Sequence, residues 1–148
     1  MASLIRRARG QKGAALIEVA LTLPLLLLVS VGIFEFGRAY QTWQVLTNAA
    51  REGARIAVLP NSTDEAVEER VTAYMQSGQL PEYDNADIDV THDTDIDIGG
   101  GEMSTASQVT VNYPFSFVVL QPVARLVVPD TSLGSAIIMS ASAMMRNE

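Results

Sequence analysis

The stretch "GAALIEVALTLPLLLLVSVGIF", residues 13–34, decides how this chain is read. From Ala14 to Phe34 it runs 21 residues with one charge, Glu18. A helix of that length reaches about 31 Å, close to the hydrocarbon thickness of a bilayer. Four basic residues, Arg6, Arg7, Arg9 and Lys12, precede it, and no acid accompanies them. A basic head before an apolar span predicts a cytoplasmic N-terminus and a C-terminal body across the membrane.

Outward from that stretch the charge reverses. The head carries +4, whereas the remaining six basic residues and all seventeen acids leave the rest at −11. A body this acidic has no basic face for nucleic acid. The absence of cysteine removes disulfides, thiolate metal sites, cysteine nucleophiles and a lipidated cysteine. A length of 148 residues allows one modest domain with appendages.

Three readings fit the apolar stretch. A cleaved secretory signal needs a core of about 7–15 residues and a small-residue site; only Ser30 and Gly32 offer one. A bitopic anchor explains length and orientation but leaves Glu18 a pure cost of about 2.5–3.5 kcal/mol at mid-span, less near an end. The third reading keeps the helix and cuts before it. Residues 35–59, EFGRAYQTWQVLTNAAREGARIAVL, favour a retained helix because the helical period continues to Pro60. Phe36, Tyr40, Trp43, Leu46, Ala50, Gly53 and Ala57 trace its expected inner face. Tyr40 and Trp43 suit either an interfacial aromatic belt or packing on the body.

A cut between Gly13 and Ala14 makes Ala14 the first mature residue and Glu18 the fifth. The resulting G-A-A-L-I-E resembles the processing site of class III signal peptides, found in type IV pilins, pseudopilins and the tight adherence (Flp) pilus system. "NAAREGARIAVLP" at 48–60, "VTVNYPFSFVVLQP" at 109–122 and "IIMSASAMMRNE" at 137–148 resemble TadE-like minor pilins of that system. Val19 stands where those pilins often carry an aromatic.

The resemblance implies processing by a prepilin peptidase, pairing of Glu18 with the N-terminal amine of a neighbouring subunit, and a single-pass inner-membrane protein. Other pilin or pseudopilin subunits, the inner-membrane assembly platform and the lipid bilayer are the implied partners. The alternative is an anchored assembly factor that never enters the filament. The expected organisation is a leader at 1–13, a transmembrane part at 14–34 and an extracytoplasmic α+β domain at 35–148.

Along the helix, Pro24 withholds a donor from the Ala20 carbonyl and predicts a kink. Ala49, Gly53 and Ala57 form a small-residue row that admits a close backbone, either from the protein's own sheet or from another helix. Glu52 and Arg55 are spaced to pair on the solvated side. After Pro60, Ser62 with Glu65 reads as a capping box opening a second helix to about Ser77, with Gly78 as its stop.

Residues 86–98 alternate as a half-buried strand: Ile88, Val90, Ile96 and Ile98 on one face, Asp87, Asp89, Asp93, Asp95 and Asp97 on the other. Gly99, Gly100 and Gly101 supply a turn into a return strand at 106–119. There Val109, Val111, Tyr113 and Phe115 point inward, and Pro114 signals an edge or bulge. A crossover with a short helical turn at 121–134 leads to a last strand at 135–146. The predicted fold is a long N-terminal helix, a short helix and a small antiparallel sheet packed on the long helix, as in pilins.

Candidate chemistry is thin. Asp93, Asp95 and Asp97 match the first positions of a calcium loop, but Ile98 replaces its glycine and Ser104 its glutamate. No metal, cofactor or phosphate site is expected. His92, the sole histidine, falls on the apolar face without a catalytic spacing around it. An enzymatic role is therefore not expected.

Overall fold

The computed structural model describes residues 2–127 and 130–147, with side chains from Gly13 to Arg125 and from Asp130 to Asn147. The side chains of the basic head, Arg6, Arg7, Arg9 and Lys12, lie outside the described residues. So do Val128 and Pro129 of the expected crossover. The chain is α+β, as its sequence predicts. Helix α1 spans Ala2–Ala57, α2 Asp64–Ser77, β1 Asp87–Gly99, β2 Glu102–Phe115, α3 Leu120–Val127 and β3 Ile137–Arg146, with a 3-10 turn at Tyr83–Asn85. The residues group into two compact units. One is the chain up to Gly37 with Phe117–Gly134; the other is Arg38–Ser116 with Ser135–Glu148.

α1 begins twelve residues earlier than the hydrophobic pattern indicates and runs through Pro24 as one helix. Nearby, Thr22 and Ser30 donate their hydroxyls to the carbonyls of Glu18 and Leu26, each at 2.8 Å. Back-bonding of this kind keeps side-chain hydroxyls satisfied where no water is at hand.

In the second unit the three strands order β1-β2-β3, all antiparallel. Its core joins Leu46, Ala49, Ala50 and Ala54 of α1, Val67, Val71 and Met75 of α2, and Val109, Val111, Tyr113 and Phe115 of β2. Each fully buried valine or leucine contributes about 1.5–3 kcal/mol. The Arg38 guanidinium lies 5.3 Å from the Phe115 ring centroid, close enough for a cation–π attraction. The Tyr113 hydroxyl donates to the Pro81 carbonyl, and burial pushes its pKa up. The small residues of α1 account for how closely these elements approach. A Cβ on Gly53 would stand 2.6 Å from Val71 Cγ2 and 3.2 Å from Val109 Cγ1.

Four local expectations change. The inner face of α1 does not follow Phe36, Tyr40 and Trp43, which are exposed; Glu35 and Thr42 are buried instead, and the predicted phase holds only from Leu46 onward. The aromatic spacing misleads because rings are apolar enough to count as core in any periodic reading. The cap of α2 is Thr63, whose hydroxyl accepts from the Ala66 amide at 3.4 Å, and not Ser62. With the helix starting one residue later, Ala66 occupies the position that Glu65 would need for a capping box. Gly78 ends α2 at φ −76°, so no left-handed turn requires it; an added Cβ would meet Val45 Cγ1 at 2.6 Å, and close packing on α1 explains the glycine.

The fourth change concerns the aspartate row. Asp87–Thr91 pair with Asn112–Gln108, but Thr94 pairs with Ala106, so His92 and Asp93 together oppose Ser107. This is a β-bulge, with Asp93 at φ +52°. Beyond it the alternation changes phase. Asp87 and Asp89 share the face of Asn112 and Thr110, whereas Asp95 and Asp97 share the face of Thr105 and Met103, the same side as Val109 and Val111. The expected single acidic face is thus two half-rows on opposite faces. Pro114 sits in the central strand, but β1 ends its pairing at Asn112, so Pro114 meets only β3, through Ile138.

Candidate functional site on the N-terminal helix

Gly13, Ala14 and Glu18 lie on α1 where helical backbone is continuous and every side chain is exposed. No atom comes within 4 Å of where a Gly13 side chain would begin. A backbone this open can reach an enzyme's active site, although a helical peptide must unwind locally to be cut. Around Glu18, Leu16, Ile17, Val19, Leu21, Leu23 and Leu25 are all exposed. The most apolar window of this helix has a mean hydropathy of 2.4 and none of it is covered. The helix is long and apolar enough to cross a membrane.

Glu18 therefore projects from an uncovered apolar cylinder with no side-chain partner among the described residues. In water the carboxylate is unremarkable. In hydrocarbon or between apolar helices it needs a cation or a proton, because an isolated charge there is strongly disfavoured. An ammonium group close by offsets both desolvation terms. Pro24 lies six residues further on in the same bare stretch.

Ala49, Gly53 and Ala57 lie elsewhere, buried in the second unit. Their row faces Val67 and Val71 of α2 and Val109 of β2 at Gly53. On the solvated side Glu52 takes both Arg55, at 2.7 Å, and Arg70 of α2, at 2.5 Å. These guanidiniums hold the Glu52 carboxyl down at about 2. The spacing on α1 predicts the first contact; the second joins residues eighteen apart and needs the tertiary fold.

Two polar constellations escape the sequence. The first is Glu35, 1% exposed. Its Oε1 accepts from the backbone amides of Val119 and, at 3.3 Å, Leu120. These are the first free N–H groups of α3, and a carboxylate there both satisfies them and meets the positive end of the helix dipole. Only the lone acid directly after the apolar run hints at it.

The second is a chain through His92. His92 Nε2 lies 2.9 Å from Asp64 Oδ1, and His92 Nδ1 lies 3.5 Å from Ser107 Oγ. The order Asp-His-Ser is that of a hydrolase triad. Ser107, however, is fully buried and its hydroxyl donates to Asn147 Oδ1 at 2.9 Å. Asn147 in turn donates to Asp93 Oδ1 at 2.8 Å and to the Thr105 carbonyl at 2.9 Å. The serine is occluded and engaged, and the chain ties the bulge to the start of α2 and to the segment after β3.

Residues 13–55 match the family model described as TadE-like protein. The match begins at Gly13 and ends at Arg55, so it includes the first eight residues of "NAAREGARIAVLP" and leaves 109–122 and 137–148 outside. Neither the curated proteins nor the solved structures contain a significant match to the chain. Over residues 13–55 the chain resembles the TadE-like family, and the likeness covers the helix that carries Gly13 and Glu18.

Proposed function

We propose that this chain is a non-enzymatic minor pilin or pseudopilin of a tight-adherence pilus, cut by a prepilin peptidase between Gly13 and Ala14. One observation carries the reading: a TadE-like match that opens at Gly13 on an uncovered apolar helix whose only acid between Ala14 and Phe34 is Glu18. The helix stores the subunit in the inner membrane, N-terminus in the cytoplasm. It then exchanges lipid for the helices of other pilin subunits at the assembly platform. Glu18, the fifth residue after the cut, meets the new amine of a neighbour and sets the register between them. The acidic body points outward, where the system serves adhesion.

Intact mass of the protein from its native membrane tests the first step. A mature chain starting at Ala14 supports it, and replacing Gly13 with a bulky residue should leave the head attached. An intact head in the native chain would leave the anchored assembly factor as the surviving reading. For the second step, Glu18→Ala should be cut normally yet fail to enter the filament; normal incorporation would remove the ion pair from the mechanism.

A further inference from the structure

The apolar surface of the first unit does not end with the span. Glu35 directly follows the 21-residue apolar run, at the level where hydrocarbon gives way to headgroups. Its carboxylate faces neither water nor lipid, because the Val119 and Leu120 amides take it up. The N-terminus of α3 is therefore fixed within hydrogen-bond reach of the outer end of the span. The chain closes this segment by returning Gly134 against the backbone of Gln121, where an added Cβ would stand 2.6 Å from the Gln121 nitrogen. On the closed segment Val118 is 60% and Leu133 64% exposed, while Ile33, Phe34 and Phe36 beside Glu35 are exposed as well. Single exposed apolar side chains are ordinary; a set of them gathered at one level marks a surface that something covers.

We propose that residues 117–127 and 130–134 form a bilayer-surface element. α3 rests at the outer headgroup boundary, Val118 and Leu133 dip into the acyl edge, and Glu35 is the latch that holds the segment there. Lipid is the occupant because the patch is continuous with residues already read as crossing the bilayer. The proposal rests on that reading. A short amphipathic helix with a cation, Arg125, in its last turn suits the interface between acyl chains and phosphates. The latch couples the segment to the span without a covalent link, so the element enters or leaves the interface together with the span's end.

The lack of cysteine makes the test direct. Single-cysteine variants of the full chain, Leu26→Cys, Val118→Cys and Leu133→Cys, are labelled with an environment-sensitive fluorophore. They are reconstituted in phosphatidylcholine–phosphatidylglycerol vesicles carrying nitroxides at shallow or deep acyl positions. Labels at 118 and 133 should be quenched more by the shallow nitroxide, and the label at 26 more by the deep one. Adding Glu35→Ala should abolish quenching at 118 and 133 and spare position 26, whereas Glu35→Gln, which keeps the acceptor, should preserve it.

Quenching at 26 with none at 118 and 133 would overturn the proposal and leave the span standing. Labels at 118 and 133 that are shielded from aqueous iodide but not quenched by lipid would assign the patch to a second protein chain, also overturning it. No quenching at 26 would remove the span and the proposal together. Full quenching in Glu35→Ala would refute the latch.

Discussion

Gly53→Ala is the sharpest probe of how α1 meets the body. In an open helix the change gains about 1 kcal/mol of helix propensity. Here the new Cβ stands 2.6 Å from Val71 Cγ2, 3.2 Å from Val109 Cγ1 and 3.4 Å from Val67 Cγ1. All three neighbours are β-branched, and the two on α2 have almost no alternative rotamer within a helix. Relief must come from moving backbone, and overpacking of this kind costs about 1–3 kcal/mol. The net expectation is a loss of about 1 kcal/mol, or roughly 4–8 °C in Tm for a unit of this size. Val71→Ala removes the nearest atom at its own cost of about 2 kcal/mol. In that background Gly53→Ala should cost less than in the native chain or become stabilising, because the propensity gain persists and the 2.6 Å contact is gone, leaving only the 3.2 Å approach to Val109 and ordinary contact with Val67. Thermal unfolding of the full chain in detergent, followed by near-UV circular dichroism of Trp43 and the tyrosines, measures all four corners of the cycle. A stabilising Gly53→Ala in the native background, or an equal effect in both backgrounds, would refute the close approach.

Three further outcomes follow from the same geometry. Thr63→Ala should cost about 0.5–1 kcal/mol through loss of the cap, while Ser62→Ala should not weaken α2; urea unfolding midpoints separate the two. Glu52 has its folded pKa lowered to about 2 from 4.5, so its contribution is complete above 4.5 and fades as pH falls toward 2. With both arginines half in water that contribution is about 1 kcal/mol, and Glu52→Gln should flatten this part of the acid-unfolding curve. Tyr113→Phe leaves the Pro81 carbonyl without its donor and should cost about 1 kcal/mol, read as a fall in Tm.

The elements were legible because each repeats its own period: the long apolar helix, the Val67-Val71-Met75 stripe and the alternation of β2. The errors cluster where a local pattern admits two phases. Phe36, Tyr40 and Trp43 supplied a helical stripe that tertiary packing does not use, since Glu35 finds amides 84 and 85 residues away. The spacing of the aspartates stays even through Thr91-His92-Asp93-Thr94, so nothing in it announces the extra residue there. That tetrad is nevertheless the part of the strand with no aliphatic side chain to pin the register. Gly13 and Glu18 were visible because a lone carboxylate in an apolar helix is costly enough to stand out. Glu35 was not, because an acid at the end of such a helix reads as an ordinary boundary.

The bulge gives the β1–β2 hairpin a property that a flat acidic strand would lack. An unbroken alternation would put every carboxylate on the outer face. By changing phase between Asp89 and Asp95, the strand puts Asp87 and Asp89 on one face near its start and Asp95 and Asp97 on the other face near the hairpin turn. A second subunit stacking on the outer face meets the first pair, and one reaching the turn end from the inner side meets the second, so each must desolvate like charges. The hairpin thus acts as a two-sided electrostatic fender, turning crowded bodies away from sheet-on-sheet contact.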